Sequence, residues 1–414
     1  MRSIRLFDFV EGEAIQVSRE IASIRTKADG PNVIFIGGMH GNEPTGVLAL
    51  AHVMRHVKRL QPLLKGNVYA LVGNLTALER GERFIEKDLN RIWHAEHVER
   101  ARKRDYHPTE IINEVEEQIE LWGIIDELMQ ENPGPFFFVD LHTTSVKSVP
   151  FITMSDTIMN RQFSNKVPVP VVIGIEEYLS EPLLSYVNEL GCVSMAFEGG
   201  QHGEAESVQN HEAMIWLSLV YSGVMKKMEI PHFKKHYEQL LNAAKGDRKV
   251  YEIRYRQHIA AGDIFQMLPG FVNFQSIKRD QPLAKHNGQT LRATEDGMIF
   301  MPLYQAQGND GYFTIRHIKR IWLYVSYLFR GLGLYRMLRF LPGVRCYMQS
   351  DEMMVVDKSI ARWYSTEILH LMGYRRKKKY GDLTLFIRRK YDFRGPGKRP
   401  TSNLQNAEAG KSKE

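Results

Sequence analysis

His40 and Glu43 stand three residues apart in VIFIGGMHGNEPTG, residues 33–46. A histidine and a carboxylate at that spacing can share a metal ion. The run Val33, Ile34, Phe35, Ile36 predicts a buried strand, Gly37-Gly38 breaks it, and Pro44 suits the first position of a helix. A loop at the carboxyl end of a buried strand is where α/β sheets gather ligands. The spacing alone does not discriminate. His107 and Glu110 repeat it beside Tyr106, Pro108 and Thr109, where the context reads as a helix start.

Other polar residues close further predicted strands. His142 follows FFFVDL and Glu198 follows VSMAF. Two histidines and one carboxylate (His40, Glu43, His142) leave an open coordination position, as a catalytic zinc requires. Asp140, two residues before His142, points to the same side of its strand and can orient the imidazole. A strand-end carboxylate bonded to backbone is the plain alternative. Glu198 has the chemistry of a general base, although alone it would read as a turn residue beside two glycines. In the loop ERFIEKDLNRIW, Arg83, Asn90 and Arg91 can stabilise an oxyanion or hold a substrate carboxylate, and residue type leaves open which does which.

These residues need a scaffold that brings distant segments to one edge. From residue 33 the pattern repeats strand, loop and helix: Asn67–Val72, an amphipathic helix over Thr109–Gln130, Phe136–Leu141, Val169–Ile173, Val193–Phe197 and a long helix over Glu204–Met228. The expected fold class is α/β, a mixed and mostly parallel sheet with helices on both faces. From Lys249 to Ile315, turns at Pro269-Gly270, Asn287-Gly288 and Asp296-Gly297 separate short runs, which predicts a small β-barrel or sandwich domain. The expected domains are a catalytic 1–230, a β-rich 231–316, a basic and partly helical extension 317–393, and a disordered tail 394–414.

The net charge of +7 conceals an asymmetry. Residues 317–414 hold 21 Lys and Arg against 8 Asp and Glu, an excess of 13, so residues 1–316 sum to 7 minus 13, or −6. The body needs no polyanion, and no nucleic acid is expected. Ile321–Phe329 is too short and too interrupted by charge to span a bilayer, so it reads as a helical cap or a membrane-surface helix. RRKKK at 375–379 reads as a solvated face. Two separated cysteines exclude a thiolate zinc site, and no apolar stretch of signal-peptide length opens the chain, so a cytoplasmic setting is expected.

Taken in order, GGMHGNEPTG, ERFIEKDLNRIW, FVDLHTTS and the glutamate of FEGGQHG resemble the succinylglutamate desuccinylase and aspartoacylase family, itself similar to the zinc carboxypeptidases. The resemblance continues through AAGDIF, PGFVNF and DGMIFMP. It implies one zinc per chain on His40, Glu43 and His142, general-base work by Glu198, oxyanion stabilisation by Arg83, and substrate-carboxylate contacts by Asn90 and Arg91. The implied activity is a zinc-dependent amidohydrolase acting on an N-acyl amino acid or related small amide. The family also places an arginine some ten residues before the glutamate, here near Asn188. Between Val167 and Val224 there is no Lys or Arg, so a neutral or apolar acyl group is expected. The family's β domain also tends to contribute a tyrosine, for which Tyr304 is the nearest counterpart. The alternatives are a metallocarboxypeptidase, or a non-catalytic protein docking on a membrane or protein through residues 317–393. Homo-oligomerisation stays open.

Overall fold

The computed structural model describes residues 2–395 apart from 108–109, 180, 306, 348–349 and 362–364. A hairpin of β1 (Ser3–Asp8) and β2 (Glu13–Ser18) and a strand β3 (Glu20–Ile24) lead into β4 (Asn32–Gly37) and α1 (Thr45–Arg59). Side chains of β4 alternate between two cores, Val33 and Phe35 entering one and Ile34 and Ile36 the other. A strand covered on both faces must be apolar throughout, which is why this stretch was legible as a run. The next strand, β5 (Asn67–Val72), repeats the pattern before α2 (Leu75–Arg80), α3 (Ala95–Lys103) and α4 (Asn113–Glu131). The predicted helix from Thr109 thus begins at Asn113. Pro108 and Thr109 lie outside the described residues.

There follow β6 (Phe136–Thr144), β7 (Phe151–Met154), α5 (Ile158–Ser164), β8 (Val171–Ile173), α6 (Leu183–Glu189), β9 (Val193–Gln201), α7 (Ala205–Tyr221) and α8 (Phe233–Ala243). Two expectations need correcting here. Strands β6 and β9 run beyond Leu141 and Phe197, so His142 and Glu198 lie within them, paired across the ladder. The long helix expected to Met228 stops at Tyr221, because Gly223 turns the chain with φ at 87°.

Then come β10 (Val250–His258), β11 (Phe265–Met267), β12 (Ser276–Ile277), β13 (Pro282–His286), β14 (Gln289–Arg292), β15 (Gly297–Phe300) and β16 (Asp310–Ile318). The main sheet has eleven strands in the order β12-β15-β16-β10-β8-β7-β9-β6-β4-β5-β3. Its centre, β5, β4, β6 and β9, is parallel. Residues 250–318 therefore do not stand apart as a barrel. Their longest strands extend the main sheet through the parallel pairing of β10 with β8, and only β11, β13 and β14 form a small sheet of their own.

The extension contains α9 (Arg320–Gly331), β17 (Val344–Tyr347), β18 (Ser350–Asp357), α10 (Ser365–Leu371), β19 (Tyr374–Tyr380) and β20 (Leu383–Arg388). Its strands form a four-stranded antiparallel sheet with its own core around Met354, Val356, Leu369 and Phe386. Contrary to a solvated RRKKK face, Arg375 is buried, paired with Asp156 and Glu176 of the body. Arg330 and Arg161 join it on Asp156. The tail from 396 lies outside the described residues.

His370 of α10 sits between Glu177 and Glu252, at 2.9 and 3.3 Å. Burial opposes its charge, but the two carboxylates outweigh burial and push the imidazole up from 6.5 to about 9. A folded-state value above the unfolded one contributes stability that is complete below pH 6.5 and is lost as pH rises through about 9. Stability should fall by on the order of 2 kcal/mol across that window. Urea unfolding midpoints should show the fall flattened in His370→Gln; an equally steep decline in the variant would refute this account.

Candidate active site

The turn after β4 carries His40 and Glu43 over the carboxyl edge of the parallel strands. Gly41 makes that turn possible, since a Cβ there would lie 2.0 Å from the backbone carbon of Ala77. Both histidines aim Nδ1 at the Glu43 carboxylate, His40 at 2.9 Å from one oxygen and His142 at 3.0 Å from the other. The far nitrogen of each ring has its own aspartate: His142 Nε2 lies 2.8 Å from Asp140, and His40 Nε2 lies 3.2 Å from Asp88. Asp140 thus makes the contact its strand position predicted. Asp88 was missed, although it lies inside the ERFIEKDLNRIW motif.

This arrangement suits a divalent cation. His40, Glu43 and His142 offer ligand atoms within 4.8 Å of one another, all on buried residues. Glu43, Asp88 and Asp140 face two imidazoles and one guanidinium, so the cluster demands positive charge. Burial would raise Glu43, but the two imidazoles outweigh it and hold the carboxyl well below its usual range. Carboxylates on the outer nitrogens are how histidine ligands are oriented and made more basic. Asp8, Glu11 and His52 also cluster, but His52 is held between Asp8 and Glu212 as an ordinary ion pair. Neither His94 with His97 nor His107 with Glu110 belongs to such a group among the described residues.

Arg83 enters the cluster from the loop after α2. Its NH2 lies 2.9 Å from His40 Nε2 and 3.2 Å from Asp88, while its Nε is buried without a partner. The loop is shaped by a second residue that was missed, Glu114 of α4, whose carboxylate accepts from the backbone N–H groups of Ile85, Glu86 and Lys87. Glu198 lies beside His142 on the neighbouring strand, buried, with Oε2 unpartnered. Burial pushes its carboxyl up to about 8, against the pull of His142. Gly199 beside it must stay small, because a Cβ would meet His211 Nε2 at 2.6 Å, and that nitrogen donates to the His142 carbonyl.

The substrate-side residues divide. Asn90 is buried and its Oδ1 accepts from Leu183 N at the start of α6, so part of its role is to hold that helix. Arg91 is paired with Asp310 at 3.2 Å. Arg256 of β10 shares Asp310 and also donates to the Tyr178 carbonyl. A cation does therefore reach the segment that has none of its own, and it comes from the β-rich region. Asn188 corrects the expected position of the missing arginine. It precedes the amino end of β9, away from Glu198, and accepts from Arg389 of the extension. Tyr304 is no closer a candidate, since its hydroxyl is engaged by the backbone of Leu268 and Phe271. Its neighbour Gln305 instead accepts from Asn42, bringing the 301–309 loop over the site.

Residues 29–163, which hold every one of these positions up to His142, match the succinylglutamate desuccinylase/aspartoacylase catalytic domain. The chain belongs to that family. Succinylglutamate desuccinylase of Pseudomonas aeruginosa is 31% identical over 94 residues, 22% of this chain and 28% of that protein. The Pseudomonas paraeruginosa protein is 29% identical over 92 residues, with the same shares. The chain thus spans little more than a quarter of the length of these curated relatives. Solved structures share the fold over more of it. A succinylglutamate desuccinylase from Vibrio cholerae has a TM-score of 0.52 at 14% identity over 77% of this chain and 92% of its own. A family member from Rhodobacter sphaeroides has 0.51 at 16% over 76% and 94%.

Proposed function

We propose that this family member is a zinc-dependent amidohydrolase that cleaves the amide of an N-acyl amino acid or related small amide. The observation that carries the reading is the convergence of His40 and His142 Nδ1 on Glu43, with Glu198 one strand away. His40, Glu43 and His142 would hold the metal, oriented by Asp88 and Asp140. Zinc, when bound, lowers the pKa of a water to about 7 and polarises a carbonyl.

The chain's own groups then divide the work. Glu198 takes the proton of the attacking water on its free Oε2 and returns it to the departing nitrogen. Arg83 offers its unpartnered Nε–H to the carbonyl oxygen as negative charge develops there. Arg91 exchanges Asp310 for the substrate carboxylate, with Asn90 holding the loop and α6 in register. The acyl group is neutral or apolar on this reading, because the only cation at hand for segment 167–224, Arg256, is among the described residues already engaged by Asp310 and Tyr178.

Metal analysis of the purified protein with a hydrolysis panel tests this. About one zinc per chain and faster turnover of neutral N-acyl amino acids than of N-acetylaspartate are expected. Absence of metal would end the mechanism, and the reverse substrate order would end the acyl assignment.

A further inference from the structure

Helix α9 is built inside out. The residues it turns toward the body are Ser326, whose hydroxyl donates to the Leu371 carbonyl, and Arg330, which reaches Asp156, Asp392 and the carbonyls of His370 and Leu371. Its apolar residues face outward instead. Ile321, Tyr324, Leu328 and Leu332 follow one another at steps of three and four along the solvent side, Tyr324 at 60% and Leu332 at 72% exposure. Trp322, at 52%, flanks them, and Phe340 of the following 3₁₀ turn stands out at 75%. A soluble helix ordinarily buries such a stripe, and a contiguous exposed one marks a surface that meets something apolar.

Charge says what that is. Between residues 311 and 350 there are seven Lys and Arg and no Asp or Glu. One of the seven, Arg330, is buried in the joint with the body. Lys319, Arg320, Arg336 and Arg339 are exposed around the apolar stripe. A protein partner of ordinary composition needs no such one-signed rim, whereas an anionic bilayer offers an apolar layer beneath a sheet of negative headgroups. Trp and Tyr beside Lys and Arg are the side chains that settle at that boundary. No helix of the described residues is long and apolar enough to cross a membrane, so α9 would lie on one.

We propose that the outer face of α9 and the turn that follows it form a peripheral membrane site for anionic phospholipid, seating Ile321, Trp322, Tyr324, Leu328, Leu332 and Phe340 at the headgroup boundary. The site stands independently of the hydrolase reading, since it shares no residue with the metal cluster.

The test is sedimentation of the full-length protein with vesicles of phosphatidylcholine alone or mixed equally with phosphatidylglycerol. Binding to the anionic vesicles, falling with added salt, is expected. Trp322→Ser with Tyr324→Ser should weaken partitioning by about ten-fold or more. Arg336→Ala and Arg339→Ala should each weaken it about five-fold at low salt. Because all four side chains are exposed, the variants should keep the parent's urea midpoint. Equal binding to both lipids, or none to either, overturns the proposal. So does self-association of the free protein that the same variants abolish while vesicles stay unbound, which would assign the face to a second copy.

Discussion

Glu198→Gln is expected to lower kcat by about a thousand-fold while leaving metal content and fold unchanged. The carboxyl is buried, one oxygen has no partner, and burial has already pushed its affinity for a proton up to about 8. Such a group accepts a proton from water near neutral pH more readily than an exposed glutamate does, and releases it to a more basic nitrogen. The amide of glutamine keeps the shape and cannot take the proton. Because Glu198 is not one of the three groups that converge on the metal position, zinc should remain bound. A variant retaining activity within about ten-fold of the parent, with zinc in place, would remove Glu198 from the mechanism.

The largest expected effect on stability lies far from that site. Asp156, fully buried between β7 and α5, accepts hydrogen bonds from Arg161 and Arg330 and pairs with Arg375. Two of those arginines belong to the extension, so one carboxylate ties the body to the C-terminal unit. Asp156→Ala would leave three guanidinium groups near one another in a dry joint, with Asp392 and Glu176 too few to answer them. A loss of about 3–5 kcal/mol is expected, because removing one member of a buried ionic network strands the rest. Urea unfolding of the full chain measures it, and hydrogen exchange should show the extension opening first. A change under about 1 kcal/mol would mean that water enters the joint and solvates the arginines.

The two sites differ in how far they could be read from the sequence. His40, Glu43, His142 and Glu198 each sit at a break in an apolar run, and a parallel sheet sends all such breaks to one edge. Periodicity alone therefore located that edge, and residue chemistry suggested a metal. The pairing partners were less legible. Asp88 and Glu114 look like any loop or helix carboxylate until the fold turns one toward His40 and the other toward three backbone N–H groups. Arg256 lies 58 residues beyond Glu198 and reaches the substrate side only because β10 joins β8 in the same sheet.

The extension shows the limit most plainly. Its basic character and its apolar run 321–329 were visible in the composition, but whether the run would face inward or outward was not. Helical spacing fixes which residues share a face and says nothing of which face is buried. That was decided by Asp156 and the carbonyls of α10, which draw Arg330 inward and leave the aromatic side to the solvent. What the sequence determined by itself was the sheet edge and the chemistry gathered there, since apolar patterning and ligand type are local properties. The tertiary structure alone decided the partners and the exposed face, because these depend on contacts between segments far apart in the chain.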